Sequence, residues 1–262
     1  MGSLNFIGLG TYDEKGMTLY GLELARNCEI IFLEHYTSLM PYLNLESLER
    51  IIGKKIIIID RKYLEDGSAI LRNAMEKDVA ILIPGDPFIA TTHIDLRIRA
   101  EKQNIKVRVA HAPSIISIVP GETGLQNYKF GKSATITFPD NYSEVPYDTL
   151  KQNLSLGLHT LLFLDIKVDE GKYMTANDGM AILMEIENRR KEGIIKSNTL
   201  VIGIARAGGP NQLIKGDVIE KLICFDFGPP PHCLVFPGRL HFMEAEALVM
   251  LAKVDRELLK VI

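Results

Sequence analysis

The residues best able to do chemistry in this chain lie at the ends of apolar runs. Phe6-Ile7-Gly8-Leu9-Gly10-Thr11 closes the first such run, and Glu34 closes the second. A glycine pair after a strand, with an acidic residue ending the next strand, is the pattern of a dinucleotide turn with a ribose ligand. The third glycine of that fingerprint is missing, because position 13 is Asp13. The pair therefore reads rather as a tight turn that needs glycine's conformational freedom. Pro84-Gly85-Asp86-Pro87 follows the run at 79–83. Its prolines fix φ on either side, Gly85 lets a ligand approach the backbone, and Asp86 sets a carboxylate at the carboxyl end of a strand. A plain turn and a ligand loop both satisfy this pattern, and loops at that edge of an α/β sheet are disproportionately functional. Ala205-Arg206-Ala207-Gly208-Gly209-Pro210 repeats the logic in the second half.

Other chemistries have little to stand on. His35, His93, His111, His159, His232 and His241 show no metal-ligand spacing, so hydrogen bonding and packing are their expected roles and no metal is expected. No Gly-x-Ser-x-Gly elbow or P-loop occurs, and Cys28 falls where a helix should end.

The elements that must position these residues alternate. Strands are expected at 4–9, 29–33, 56–59, 79–83 and 106–110, with helices at 18–27, 44–52, 67–77 and 91–103 between them. Thr18 and Asn44 can cap their helices, and Gly53 can end the second. The β-branched run at 56–59 and the run at 79–83 both read as strands covered on two faces. This alternation predicts a parallel sheet with right-handed crossovers. Proline and glycine then punctuate residues 111–124, where the domain junction is expected. Beyond it, strands at 134–138, 160–165, 199–205, 212–215 and 233–236, and helices at 147–156, 175–192 and 242–251, predict a mixed sheet. The domains are expected at 1–112 and 113–262.

Composition narrows the function classes. At 262 residues, 47% hydrophobic and 24% charged, the chain is long enough for two α/β domains and is not of disordered composition. A formal charge of −3 without Lys/Arg blocks excludes a nucleic-acid binder that relies on phosphate neutralisation. Three scattered cysteines cannot form a disulfide framework, no apolar run approaches membrane-spanning length, and a strand beginning at residue 4 leaves no room for a signal peptide. A cytoplasmic location is expected.

Several segments together carry a family resemblance. Phe6-Ile7-Gly8-Leu9-Gly10, Glu34-His35-Tyr36-Thr37-Ser38, Gly85-Asp86-Pro87 with Ala90-Thr91-Thr92-His93, and His111-Ala112-Pro113-Ser114 resemble the diphthine synthase branch of the tetrapyrrole methylase family. So do Tyr128-Lys129-Phe130-Gly131-Lys132, Leu158-His159-Thr160-Leu161, Tyr173-Met174-Thr175-Ala176-Asn177, Ala205-Arg206-Ala207-Gly208, Asp226-Phe227-Gly228-Pro229-Pro230-Pro231-His232 and Pro237-Gly238-Arg239-Leu240-His241. The Gly-Asp-Pro loop is general to the family, whereas the Glu-His-Tyr-Thr-Ser and Tyr-Lys-Phe-Gly segments are specific to the branch.

The resemblance implies a homodimer of subunits with two α/β domains, the N-terminal sheet mostly parallel, the C-terminal sheet mixed, and S-adenosylmethionine in the cleft between them. It implies methylation of the amino group on the aminocarboxypropyl-modified histidine of elongation factor 2, a step of diphthamide biosynthesis. Carried over by motif, the cofactor contacts fall on Thr11, Asp86, Ile89, Ser114, Ile115, Leu164, Ala207 and His232. Position 11 is usually leucine in the family, so a main-chain contact transfers there better than a side-chain one. No catalytic acid or base is implied. Tyr128 and Phe130 could face a cationic ammonium product or simply pack. A methylase acting on a porphyrin-like ring, and a non-catalytic protein-binding module that retains the fold, are the alternatives.

Overall fold

The computed structural model describes residues 2–36 and 38–259, so Thr37 of the Glu-His-Tyr-Thr-Ser segment lies outside the described residues. The chain divides into two compact units, Met1–Ile115 with Val168–Glu170, and Ile116–Lys167 with Gly171–Ile262.

The first unit contains β1 (Ser3–Gly8), α1 (Leu19–Asn27), β2 (Ile30–Glu34), α2 (Leu45–Ile52), β3 (Ile57–Ile59), α3 (Arg61–Asp66), α4 (Ser68–Glu76), β4 (Asp78–Ile83), α5 (Ile94–Lys102) and β5 (Lys106–Ala110). Capping follows the side chains available. The Thr18 hydroxyl accepts from the Gly21 amide at 3.1 Å, Asn44 accepts from Ser47 at 2.9 Å, and Gly53 ends α2 in the left-handed region.

All five strands run parallel in the order β3-β2-β4-β1-β5. Their side chains alternate between two cores. Leu4, Phe6, Val79, Ile81 and Ile83 pack with Ile70, Ala74, Leu96 and Ala100 on one face, while Ile7, Ala80 and Leu82 pack with Leu24, Ala25, Leu48 and Ile52 on the other. Each fully buried leucine or isoleucine contributes about 1.5–3 kcal/mol, so β4, buried from Val79 to Ile83, anchors the sheet.

Three local expectations change. β3 is not covered on two faces: it is the sheet edge, with Ile57 51% and Ile58 57% exposed. β-Branching favours any pleated strand and does not distinguish edge from centre. The helix expected from residue 91 starts only at Ile94, because residues 84–93 form a long loop. Residues 115–123, expected to be broken by proline and glycine, form the helix α6 (Ile115–Thr123) with Pro120 inside it. Pro120 removes one helical donor, but burial of Val119, Pro120 and Thr123, and a 2.7 Å bond from the Thr123 hydroxyl to the Val119 carbonyl, keep the helix in place.

The second unit continues with β6 (Ala134–Ile136), α7 (Val145–Ser155), β7 (Thr160–Leu164), β8 (Ile166–Lys167), β9 (Lys172–Tyr173), α8 (Ala176–Arg190), β10 (Leu200–Ala205), β11 (Leu213–Val218), α9 (Ile219–Leu222), β12 (His232–Phe236) and α10 (Phe242–Leu251). Its sheet has the order β11-β10-β12-β7-β6, antiparallel except for the β6·β7 pair, so it is mixed as expected. β8 and β9 form a separate hairpin. Met180, Leu183 and Ile186 of α8 pack with Leu162, Val201 and Leu234 in its core. Among the described residues, no helix is long and apolar enough to cross a membrane.

Candidate functional site

Strand order decides what meets at the carboxyl edge of the first sheet. β1 lies between β4 and β5, so the loops that leave β4 and β5 flank the turn that leaves β1. Gly10 and Gly85 join two of these segments: the Gly10 amide donates to the Gly85 carbonyl at 3.2 Å, and the Gly85 amide donates back at 2.6 Å. Both have positive φ, +76° and +72°, where side chains are disfavoured. Gly8 is needed for a different reason. A Cβ there would stand 2.6 Å from the Gly85 carbonyl oxygen and 2.7 Å from Ala112 Cβ, so only glycine lets both loops close over the end of β1.

The 84–93 loop is fixed by its own side chains and by two histidines. Asp86 accepts from the Phe88 amide at 3.0 Å through one oxygen, and its other oxygen lies 2.7 Å from His111 Nδ1. The Pro87 carbonyl accepts from the Thr91 hydroxyl at 2.7 Å and from His93 Nδ1 at 2.9 Å. Glu34 is buried completely, accepts from the Tyr36 amide at 2.9 Å, and lies 3.7 Å from His93 Nε2. This corrects the ribose-ligand reading of Glu34: the carboxylate is committed to the interior and cannot meet a nucleotide.

The remaining candidates of the first unit lie at the same edge. Thr11 follows the Gly8-Leu9-Gly10 turn, Ile89 exposes part of its side chain beside Asp86, and Ser114 is buried just ahead of Ile115, the first residue of α6. Leu164, Ala207 and His232 share one edge of the second sheet. Leu164 ends β7, Ala207 follows β10, and His232 opens antiparallel β12, opposite Ala205. His232 is buried. Its Nδ1 accepts from the Ala176 amide at 3.2 Å, which leaves Nε2–H to donate to the Pro229 carbonyl at 3.2 Å. Burial, reinforced by the Arg206 cation, lowers its pKa from the ordinary imidazole value, so it is a neutral contact near pH 7. Ala207 sits in a turn with Arg206 and Gly208, both at positive φ, where the Gly208 amide donates to Gln212 at 2.8 Å.

In the second unit, Lys129 of the Tyr-Lys-Phe-Gly segment, with Gln126, His159 and His241, converges on Glu244. His159 Nε2 lies 2.9 Å from one Glu244 oxygen, which also accepts from the Gln126 amide at 2.9 Å. The other oxygen accepts from the His241 amide at 2.8 Å and from Lys129. Tyr128 is 74% exposed, whereas Phe130 packs edge-on against His159 with centroids 5.3 Å apart. Phe130 is half-buried, and Tyr128 is the more exposed of the two. His93, His111 and Glu244 were not distinguishable as site-building residues in the sequence. His93 and His111 lie in segments of family likeness that carry no assigned role for them, and Glu244, on α10, lies in none. Among the described residues, no group of three or more His, Cys, Asp or Glu side chains could hold a metal ion.

Residues 3–223 match the family of Tetrapyrrole (Corrin/Porphyrin) Methylases. The chain is 50% identical to the diphthine synthase of Methanosarcina acetivorans, with 95% of this chain and 96% of that protein covered. It is 47% identical to the diphthine synthase of Methanocaldococcus jannaschii, with 94% and 97% covered. A crystal structure of diphthine synthase superposes with a TM-score of 0.89 at 37% identity, covering 97% of this chain and 98% of that one. The chain belongs to the tetrapyrrole methylase family and, within it, to the diphthine synthases.

Proposed function

We propose that this protein is an S-adenosylmethionine-dependent N-methyltransferase that acts in the cytoplasm on elongation factor 2. It methylates the amino group of the aminocarboxypropyl-modified histidine in diphthamide biosynthesis. The observation that carries this reading is the likeness to diphthine synthases over nearly the whole chain. A homodimer is part of the same proposal.

The residues at the two sheet edges fit such a cofactor. Among the described residues a Cβ on Gly85 would meet nothing within 4 Å, so its backbone is open to a ligand. Ile89 offers apolar surface, Asp86 a fixed carboxylate, and Ala207 and His232 small or neutral contacts, which suit an adenosyl group and an amino-acid tail. In our reading Thr11, Asp86, Ile89, Ser114 and Ile115 hold the cofactor from the first unit, and Leu164, Ala207 and His232 from the second. The chemistry the cofactor supplies when bound is a sulfonium-borne methyl group that passes to an amine lone pair as the C–S bond breaks. The chain's part is to bind, orient and exclude water, and these effects supply much of the rate of an in-line transfer without a nucleophilic side chain.

Calorimetry with S-adenosylmethionine, followed by incubation with aminocarboxypropyl-modified elongation factor 2 and mass spectrometry, tests the assignment. Added methyl groups on the factor are expected. Cofactor binding without methylation would turn the assignment toward a ring methylase, and absence of binding would exclude both enzymes. Gly85→Val gives a sharper local test. The new Cβ meets nothing within 4 Å among the described residues, and the left-handed φ costs about 1–2 kcal/mol. Cofactor affinity is expected to fall by more than tenfold, roughly 1.4 kcal/mol per factor of ten, while the melting temperature drops by only a few degrees. Equal losses of both would make the segment a plain turn.

A further inference from the structure

The loop between β4 and α5 contains a backbone conformation that its own residue types disfavour. Ala90 has φ +56°, and a non-glycine residue there is held against a cost of about 1–2 kcal/mol. Such strain persists only where the surroundings over-determine it. Here the determinant is the Pro87 carbonyl, whose two acceptor positions are filled by the Thr91 hydroxyl and by the His93 imidazole from beyond the strained residue. These two bonds close residues 87–93 into a ring around Ala90. Because a carbonyl can only accept, His93 Nδ1 carries the proton. Among the described residues its Nε2 has no hydrogen-bond partner, although the ring is buried and faces Glu34 at 3.7 Å. Glu34 is itself held by the Tyr36 amide at the end of the neighbouring strand. An imidazole placed this way presents one directed donor to one carbonyl.

We propose that His93 is the positioning residue of the Gly-Asp-Pro loop: its Nδ1–H locks the Pro87 carbonyl and thereby presets Gly85, Asp86 and Ile89 for the ligand. The proposal rests on the reading of that loop as a cofactor contact. His93 is buried, so it acts through Pro87. Ligand affinity depends on it, whereas the methyl-transfer step does not.

The geometry separates a directed donor from simple packing. Asparagine places its amide nitrogen where His93 Nδ1 stands, whereas glutamine reaches only toward the Nε2 position. His93→Asn is expected to keep the KM for S-adenosylmethionine within about twofold of the parent, and His93→Gln to raise it about tenfold with kcat nearly unchanged. In the ligand-free protein, hydrogen-exchange mass spectrometry is expected to show faster exchange over residues 85–92 in His93→Gln but not in His93→Asn. Thr91→Val, which removes the other donor to Pro87, shifts both readouts in the same direction and serves if His93→Gln fails to fold. Equal exchange in the asparagine and glutamine variants would overturn the proposal, as would a kcat loss with unchanged KM. Failure of the parent to bind S-adenosylmethionine would overturn the functional reading instead, and the exchange contrast would still decide the role of His93.

Discussion

Glu244→Leu is expected to be the most destabilising single substitution in the second unit, by about 3–5 kcal/mol, because it strips a buried carboxylate from a cation and several neutral donors. Glu244 is fully buried, and its two oxygens gather His159, Lys129 and the amides of Gln126 and His241. Gly238 donates to His159 Nδ1 at 2.9 Å, and Lys129 also donates to the Arg239 carbonyl at 2.6 Å. The variant therefore leaves an imidazole N–H, an ammonium and two amides facing a leucine. Lys129→Met in the same background removes the stranded cation and is expected to recover part of the loss, measured as urea midpoints.

The same carboxylate predicts an acid transition. Burial pushes the Glu244 carboxyl up, but the bonds from Lys129, His241, Gln126 and His159 outweigh it and hold it down at about 2. A pKa lowered on folding contributes stability that is present above the unfolded value near ~4.3 and is lost as pH falls toward the folded one. Stability is thus expected to fall between roughly pH 4.5 and 2. Glu187, held at about 2 against burial by the amides of residues 193–195 and by Tyr147, adds to the same slope. Glu244→Leu is expected to show a shallower acid slope than the parent. An unchanged slope would remove Glu244 as its source.

Gly8→Val is the second large effect, and it acts on the first unit. The side chain would enter the space closed by the Gly85 carbonyl and Ala112, whose Cβ and amide stand 2.7 and 3.1 Å from the position of a new Cβ. Since backbone must move on both sides, the cost is expected at the upper end of overpacking, about 3 kcal/mol. Binding of S-adenosylmethionine should become undetectable by calorimetry even where the variant remains folded, since the loops that carry Asp86 and His111 are pushed apart. Near-parental binding by Gly8→Val would show that this edge is not where the ligand sits. The contrast with Gly85→Val, whose Cβ meets nothing within 4 Å among the described residues, separates a packing glycine from a conformational one.

Much of this was legible in the chain itself. The alternation of short apolar runs with capped helices specified the parallel sheet, because strand and helix periodicities and the Thr18, Asn44 and Gly53 caps are local signals. Gly8, Gly10 and Gly85 were visible as backbone positions with special demands, and Asp86 as a carboxylate at a strand end. The extended segments of family likeness pointed to a diphthine synthase without any geometry.

The tertiary structure decided the rest. It made β3 an edge strand, since β-branched residues favour strands whether or not a second neighbour covers them. It retained a helix across Pro120 because burial outweighed local propensity. It turned Glu34 inward toward His93, and it placed His111 on Asp86 although β1 lies between their strands. Sequence periodicity reports which way a side chain faces on its own element. Which strand ends lie side by side follows from the order of strands in the sheet, and only that order brings Asp86, His111, Gly8 and Gly85 into one edge.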